Sequence, residues 1–231
     1  MSIQDGWMDG VERIPSAAAG GFVSVRDGEM WPKRVVSHVM QGYQRTMIDW
    51  ANERPPLTWK AVHFTVGRDG RTVQHVPLWT PGRHVGDANL STIGIEHEGF
   101  SVDPVVYGYD YLYDAEHPWP EPLVEATIKV HRWVFEAIRY YDQTVLPDEF
   151  AVTTHSVLDP VWRAQDPGSL WLATVRPLIF AALAPPESPP QDLEVLLREA
   201  KNAGFDAGRA YGWTAHAEAV DRQLAGLRQP Q

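Results

Sequence analysis

His38, His155, Asp166 and Glu96 are side chains that could together hold a metal ion and move protons. His38 lies in the β-branched run Arg34–Val39 (RVVSHV), and His155 follows the short run Phe150–Thr154. Both imidazoles therefore fall at the ends of predicted strands, where α/β sheets present functional groups to a crevice. A short loop further on stands Asp166, in Asp166-Pro167-Gly168, a rigid turn able to bring a carboxylate back beside the imidazole. Two imidazoles and one carboxylate suit Zn²⁺, and three protein ligands leave a fourth position for water or substrate. Zinc would acidify water and polarise a carbonyl, and a nearby carboxylate must still carry the proton to the leaving group. Glu96, in Ser91–Gly99 (STIGIEHEG), is the best candidate for that task. The chain has nine histidines, so spacing alone leaves other combinations open. Glu98 shares a strand face with Glu96 and could be the base instead, whereas His97 points to the opposite face. His63 and His75 sit in strands expected to pair; they could form a second cluster, although cross-strand packing explains them more simply.

Composition narrows the choices. With no cysteine, disulfide scaffolds, Cys-ligated zinc and cysteine nucleophiles are excluded, so any metal site must use His, Asp or Glu. A net charge of -10 argues against nucleic acid or an anionic membrane as partner. No Lys or Arg occurs between His84 and Ile128, a stretch that carries many acids and could favour a cation or simply be a solvated face. No run approaches the roughly 18 to 20 apolar residues of a membrane span. The N-terminal residues lack a basic region and an apolar run, so a chain made in the cytoplasm without a secretory signal is expected.

The elements that must position these groups read as follows. Residues 1–30 are a lead-in segment with scattered apolar anchors (Trp7, Ile14, Phe22). After the strand at 34–39, Tyr43, Met47, Trp50 and Ala51 recur on one helical face, and Pro55-Pro56 ends that helix. Ala61–Val66 and Arg71–Pro77 flank Gly67-Arg68-Asp69-Gly70, a hairpin signal. The strand 91–99 follows, then an aromatic, acidic excursion over 100–120 in which Tyr107, Tyr109, Tyr111 and Tyr113 alternate. Pro122 opens a long helix with Leu123, Thr127, Val130, Val134, Ala137, Ile138 and Tyr141 on its apolar stripe. A last helix over 169–183 is expected to be interrupted near Pro177. Strands alternating with helices, plus one hairpin, predict an α/β fold with a mixed central sheet covered by helices. Residues 31–183 would form the catalytic domain and 184–190 a proline-rich linker. Residues 191–231 would be a small helical C-terminal appendage, serving as a packing element or a wall-binding module.

Four pieces of the chain, in order, resemble the zinc-dependent type 2 N-acetylmuramoyl-L-alanine amidases and the related peptidoglycan-recognition proteins. They are VVSH (35–38), HFTVGRDGRTVQHVPL (63–78), GRHVGDANLSTIGIEHEG (82–99) and THSVLDPVWRAQDPG (154–168), and the likeness runs over residues 31–175. The resemblance implies hydrolysis of the amide between the lactyl group of N-acetylmuramic acid and the L-alanine that begins the stem peptide. It implies zinc on His38, His155 and Asp166, with Glu96 as general base and acid. His84 and Asn89 match positions associated with the substrate groove. Two helpers that relatives often carry are missing: Val62 stands where a tyrosine is frequent, and Ala164 where a lysine is frequent. Arg163, beside Ala164, could supply the missing positive charge to the oxyanion or play a plain surface role.

The expected substrate partner is peptidoglycan or a muropeptide, and the oligomeric state is left open. Absence of a signal favours a phage-endolysin-like enzyme that reaches the wall after release; an intracellular muropeptide-recycling amidase and a non-catalytic recognition module are the alternatives. Trp59, Trp79, Trp119, Trp162 and Trp171 could be platforms for sugar rings or core filling.

Overall fold

The computed structural model describes residues 5–16, 32–53, 61–101, 119–163 and 165–184. β-branched and alternating runs pair into one six-stranded mixed sheet. Its strands are β1 (Glu12–Arg13), β2 (Arg34–Val39), β3 (Phe64–Val66), β4 (Thr72–Gln74), β5 (Thr92–His97) and β6 (Val152–Thr154), in the order β1-β4-β3-β5-β2-β6. Only the hairpin β3–β4 is antiparallel; β2 pairs in parallel with both β5 and β6, and β3 in parallel with β5. Gly70, at φ +83, takes the left-handed turn position that the hairpin needs. The edge strand β1 comes from the segment read as a lead-in, and Met8 beside it is buried in the core.

Helices α1 (Gln44–Glu53), α2 (Glu121–Tyr141), the single turn α3 (His155–Leu158) and α4 (Ser169–Leu183) complete the element order, with a 3-10 helix at Gly86–Ser91. On one face of the sheet, Val35, Val39, Phe64, Ile93, Ile95 and Val152 pack against Leu123, Val130, Val134 and Ile138 of α2 and Trp171, Val175 and Ile179 of α4. The expected stripe on α2 is buried apart from Tyr141, which is 41% exposed. α4 runs unbroken through Pro177. A helix-interior proline costs about 3 kcal/mol, and burying Trp171, Val175 and Ile179 outweighs that, at about 1.5 to 3 kcal/mol for each large apolar side chain.

Several expectations fall outside the described residues: Trp59, Pro55-Pro56, the tyrosines at 107–113, the linker beyond Ala184 and the appendage at 191–231. Among the described residues no helix is long and apolar enough to cross a membrane.

The core also holds neutral imidazoles. Burial pushes His131 down to about 4, against the opposing pull of the Thr127 carbonyl that its Nδ1–H bonds at 2.8 Å. Burial does the same to His75, also to about 4, against the pull of the Ile14 carbonyl. In the unfolded chain both would titrate near about 6.5. Between these values the unfolded state takes up protons that the native state refuses, so stability is lost as pH falls. Each histidine is expected to cost about 1.4 kcal/mol per pH unit, or about 2 kcal/mol between pH 6.5 and 5. Urea midpoints measured across that window should fall steadily, and a flat profile would exclude both histidines as the source.

Candidate metal centre

Register across the parallel strands puts three of the candidate side chains in one row. β2 pairs with β5 so that His38 lies opposite Glu96, and with β6 so that Ser37 lies opposite Thr154. One residue further on, His38 and His155 become neighbours, with ring centroids 4.7 Å apart. Parallel strands lie about 4.8 Å apart, so Glu96, His38 and His155 cross the sheet side by side. Side chains alternate along a strand, and Val35, Val39, Ile93 and Ile95 already face α2 and α4. The row therefore occupies the opposite face. His38 is 1% exposed and Glu96 8%. His155 opens α3, whose start is capped by the Thr154 hydroxyl accepting from the Val157 N–H.

The loop after α3 folds back on itself. Ser156 N–H donates to the Asp166 carbonyl at 2.8 Å, and Asp166 N–H to the Arg163 carbonyl at 2.9 Å. This places the Asp166 carboxylate between the two imidazoles. Its Oδ1 accepts the Val39 N–H at 2.7 Å; its Oδ2 lies 3.0 Å from His155 Nδ1 and 3.5 Å from His38 Nδ1. Burial alone would raise the Asp166 carboxyl, but the two imidazoles beside it, His155 and His38, and the hydrogen bond from the Val39 N–H outweigh that and hold the group well below the usual carboxylate range.

This donor set fits zinc. Bonds of about 2.0–2.1 Å in a tetrahedral site put neighbouring ligand atoms about 3.3 Å apart, and the two distances to Asp166 Oδ2 bracket that value. Each of the three residues offers one ligand atom within 4.8 Å of the others, and among the described residues this is the one such His/Asp/Glu group. His63 and His75 do not form a second. His63 accepts the Gly94 N–H at Nδ1 and donates from Nε2 to the Thr80 carbonyl, while His75 is bonded to Thr65 and the Ile14 carbonyl.

The family model described as N-acetylmuramoyl-L-alanine amidase matches residues 28–169, more than half of the chain, and spans the whole row and the Asp166 loop. The chain belongs to this amidase family. No curated protein matches it. Among solved structures, a selenomethionine derivative of AmpD is 19% identical, with a TM-score of 0.50 over 80% of this chain and 100% of that one; this is a likeness of fold. The amidase LysC from Clostridium intestinale URNW is 13% identical over 71% of this chain and 91% of its own, with a TM-score of 0.44. The catalytic domain of XlyA is 20% identical over 75% and 99%, with a TM-score of 0.44.

In this amidase Glu98 lies just past the end of β5, and its Oε2 accepts the Arg68 N–H at 2.8 Å, tying down the hairpin turn. Arg163 is exposed on the loop between His155 and Asp166, and its guanidinium has no ion-pair partner among the described residues. Trp162 beside it is 84% exposed, whereas Trp119 and Trp171 are core residues. His84 is half-buried with Nδ1 3.0 Å from His38 Nε2, and Asn89 Oδ1 accepts the N–H groups of both His84 and Val85 at 2.8 Å.

Two features of the amidase site escaped the sequence reading. Gln41, at φ +50, exchanges hydrogen bonds with Ser101, whose hydroxyl also bonds the Gln165 carbonyl. The exits of β2 and β5 are thereby tied to the Asp166 loop. A non-glycine residue in the left-handed region is a signal visible only in the structure. The second feature is the approach of His84 to Gly94, where an added Cβ would lie 2.6 Å from the ring. A glycine inside a strand is the sequence signal for such an approach.

Proposed function

We propose that this amidase is zinc-dependent and cuts peptidoglycan at the amide between N-acetylmuramic acid and L-alanine. His38, His155 and Asp166 hold the metal, and Glu96 moves the protons. The observation that carries this reading is the row Glu96–His38–His155 closed by Asp166 Oδ2. When bound, zinc supplies Lewis-acid polarisation of the scissile carbonyl and a water acidic enough to react near neutral pH. Glu96 stands one strand spacing from His38, buried on the same face. Its carboxylate takes the proton of the attacking water and delivers it to the departing amine of L-alanine. Asp166, held anionic and anchored through Oδ1, keeps both imidazoles turned toward one point. Arg163, exposed on the same loop, contributes positive charge toward the tetrahedral oxyanion. His84 and Asn89, carried over from the family resemblance, border the substrate groove.

Residues 31–183 act as the catalytic domain, and the protein works on the wall as endolysins do. A recognition-only module needs neither three converging ligands nor a buried glutamate beside them.

The test is digestion of purified peptidoglycan with and without a chelator, with the fragments read by mass spectrometry. Free stem peptides with an L-alanine amino terminus, glycan left intact, and activity lost to chelator and restored by zinc are expected. Cleavage within the glycan, or full activity in chelator, would overturn the assignment.

A further inference from the structure

We propose that His84 is a positioning residue for the metal centre: it accepts the Nε2 proton of His38 and thereby leaves Nδ1 as the ligand atom. The inference rests on the reading of His38 as a metal ligand, and it gives His84 a role distinct from touching substrate.

The proton positions follow from a backbone carbonyl that has none to give. Thr92 Oγ1 lies 2.8 Å from the Ala88 carbonyl and 3.2 Å from His84 Nε2. The hydroxyl has one proton, and the shorter contact is to an atom that can only accept, so the proton goes to Ala88. His84 Nε2 must then be the donor toward Thr92. A neutral His84 protonated at Nε2 has a bare Nδ1, and that atom lies 3.0 Å from His38 Nε2. His38 is therefore the donor in this contact, and its own Nδ1 is bare. That lone pair faces Asp166 Oδ2 at 3.5 Å, an arrangement that is repulsive unless a cation lies between them. One carbonyl outside the site thus sets the tautomer of two rings in series and aims the second at the metal position.

His84 is itself held in place by two further devices. Asn89 Oδ1 accepts the N–H groups of His84 and Val85, both at 2.8 Å, and so pins the backbone that carries the ring. The ring lies against Gly94 of β5, where a Cβ would come within 2.6 Å of its Cγ and 2.7 Å of its Nδ1. Gly94 stands opposite Val36 in the sheet, two residues before Glu96 on the same face, so the space it leaves is beside the row. Ligand histidines generally donate their second ring N–H to such an outer partner, which fixes orientation and raises basicity. Here that partner is another imidazole, backed by a hydroxyl and a carbonyl.

The experiment compares wild-type protein with His84→Phe, which fills the space over Gly94 but accepts nothing, and His84→Asn, whose Oδ1 replaces the Nδ1 acceptor. Zinc affinity is measured by competition with a chromophoric chelator, and kcat and KM on a soluble muramoyl peptide at saturating zinc. Loss of an outer partner costs about 10- to 100-fold in metal affinity. That loss is expected in His84→Phe, with most of it recovered in His84→Asn. Unchanged zinc affinity with a raised KM would overturn the proposal in favour of a substrate contact. If the Phe variant does not fold, nitrogen-15 spectra of the zinc-loaded wild-type protein decide: both His38 and His84 should carry their proton on Nε2, and a proton on His38 Nδ1 overturns the relay. A wild-type protein that binds no zinc would overturn the metal reading itself, which is distinct from one that binds zinc equally well with and without the His84 acceptor.

Discussion

His155→Ala is expected to lose zinc and amidase activity together while keeping its fold. The side chain removed supplies one of three converging donors and the 3.0 Å contact to Asp166 Oδ2. Outer-shell losses alone cost about 10- to 100-fold in affinity, so loss of a ligand should exceed that. Activity should fall by more than the about 10²- to 10³-fold that follows removal of a single oxyanion donor. Folding should survive because the α3 cap comes from Thr154 and the Asp166 carboxylate keeps its bond from Val39. Asp166→Asn offers a check on the same centre, since an amide oxygen can still accept the Val39 N–H while the negative charge is gone. Zinc content by atomic emission, hydrolysis of peptidoglycan and circular dichroism are the three readouts. Undiminished zinc in His155→Ala would remove this residue from the centre.

Glu96→Gln is expected to separate metal binding from turnover. The amide keeps the shape and polarity of the side chain on β5, but it has no basic oxygen to take a proton. General acid–base groups contribute about 10²- to 10⁴-fold, and kcat should drop within that range while zinc content stays at the wild-type level. Val62 and Ala164 stand where relatives often carry a tyrosine and a lysine, so no other proton carrier at those two positions shares the task. Glu98→Gln is the companion variant. The Glu98 carboxylate bonds the Arg68 N–H in the hairpin turn, so this change should cost about 1 kcal/mol of stability and leave turnover in place. The reverse pattern, with turnover surviving in Glu96→Gln and lost in Glu98→Gln, would transfer the role to Glu98.

The hairpin, the α2 stripe and the strand around His38 were legible because each is written in local chemistry: an Asp-Gly turn, a helical apolar repeat, a β-branched run. α4 was read less well, since local rules break a helix at Pro177 whereas the buried residues on either side of it keep the helix whole. The edge strand Glu12–Arg13 was not legible at all: two residues with no alternation carry no period, and they become a strand only because β4 offers an open edge. Gln41 was silent for a similar reason, because its left-handed backbone is imposed by the contacts that Ser101 makes with it and with Gln165.

For the site itself, the sequence determined the inventory: the absence of cysteine, two histidines at strand ends, an aspartate in a Pro-Gly turn and a glutamate on the polar face of a strand. It also determined the family, since four motifs in order are a one-dimensional property. Only the tertiary structure decided which groups meet. Residues 38, 96 and 155 are far apart along the chain, and they become neighbours because the sheet order β5-β2-β6 and its parallel register place them in one row. Spacing along the chain carries no record of strand order, and for that reason it left Glu98, His63 and His75 as competitors. Their hydrogen bonds to a turn, a carbonyl and a threonine give each a place elsewhere in the fold.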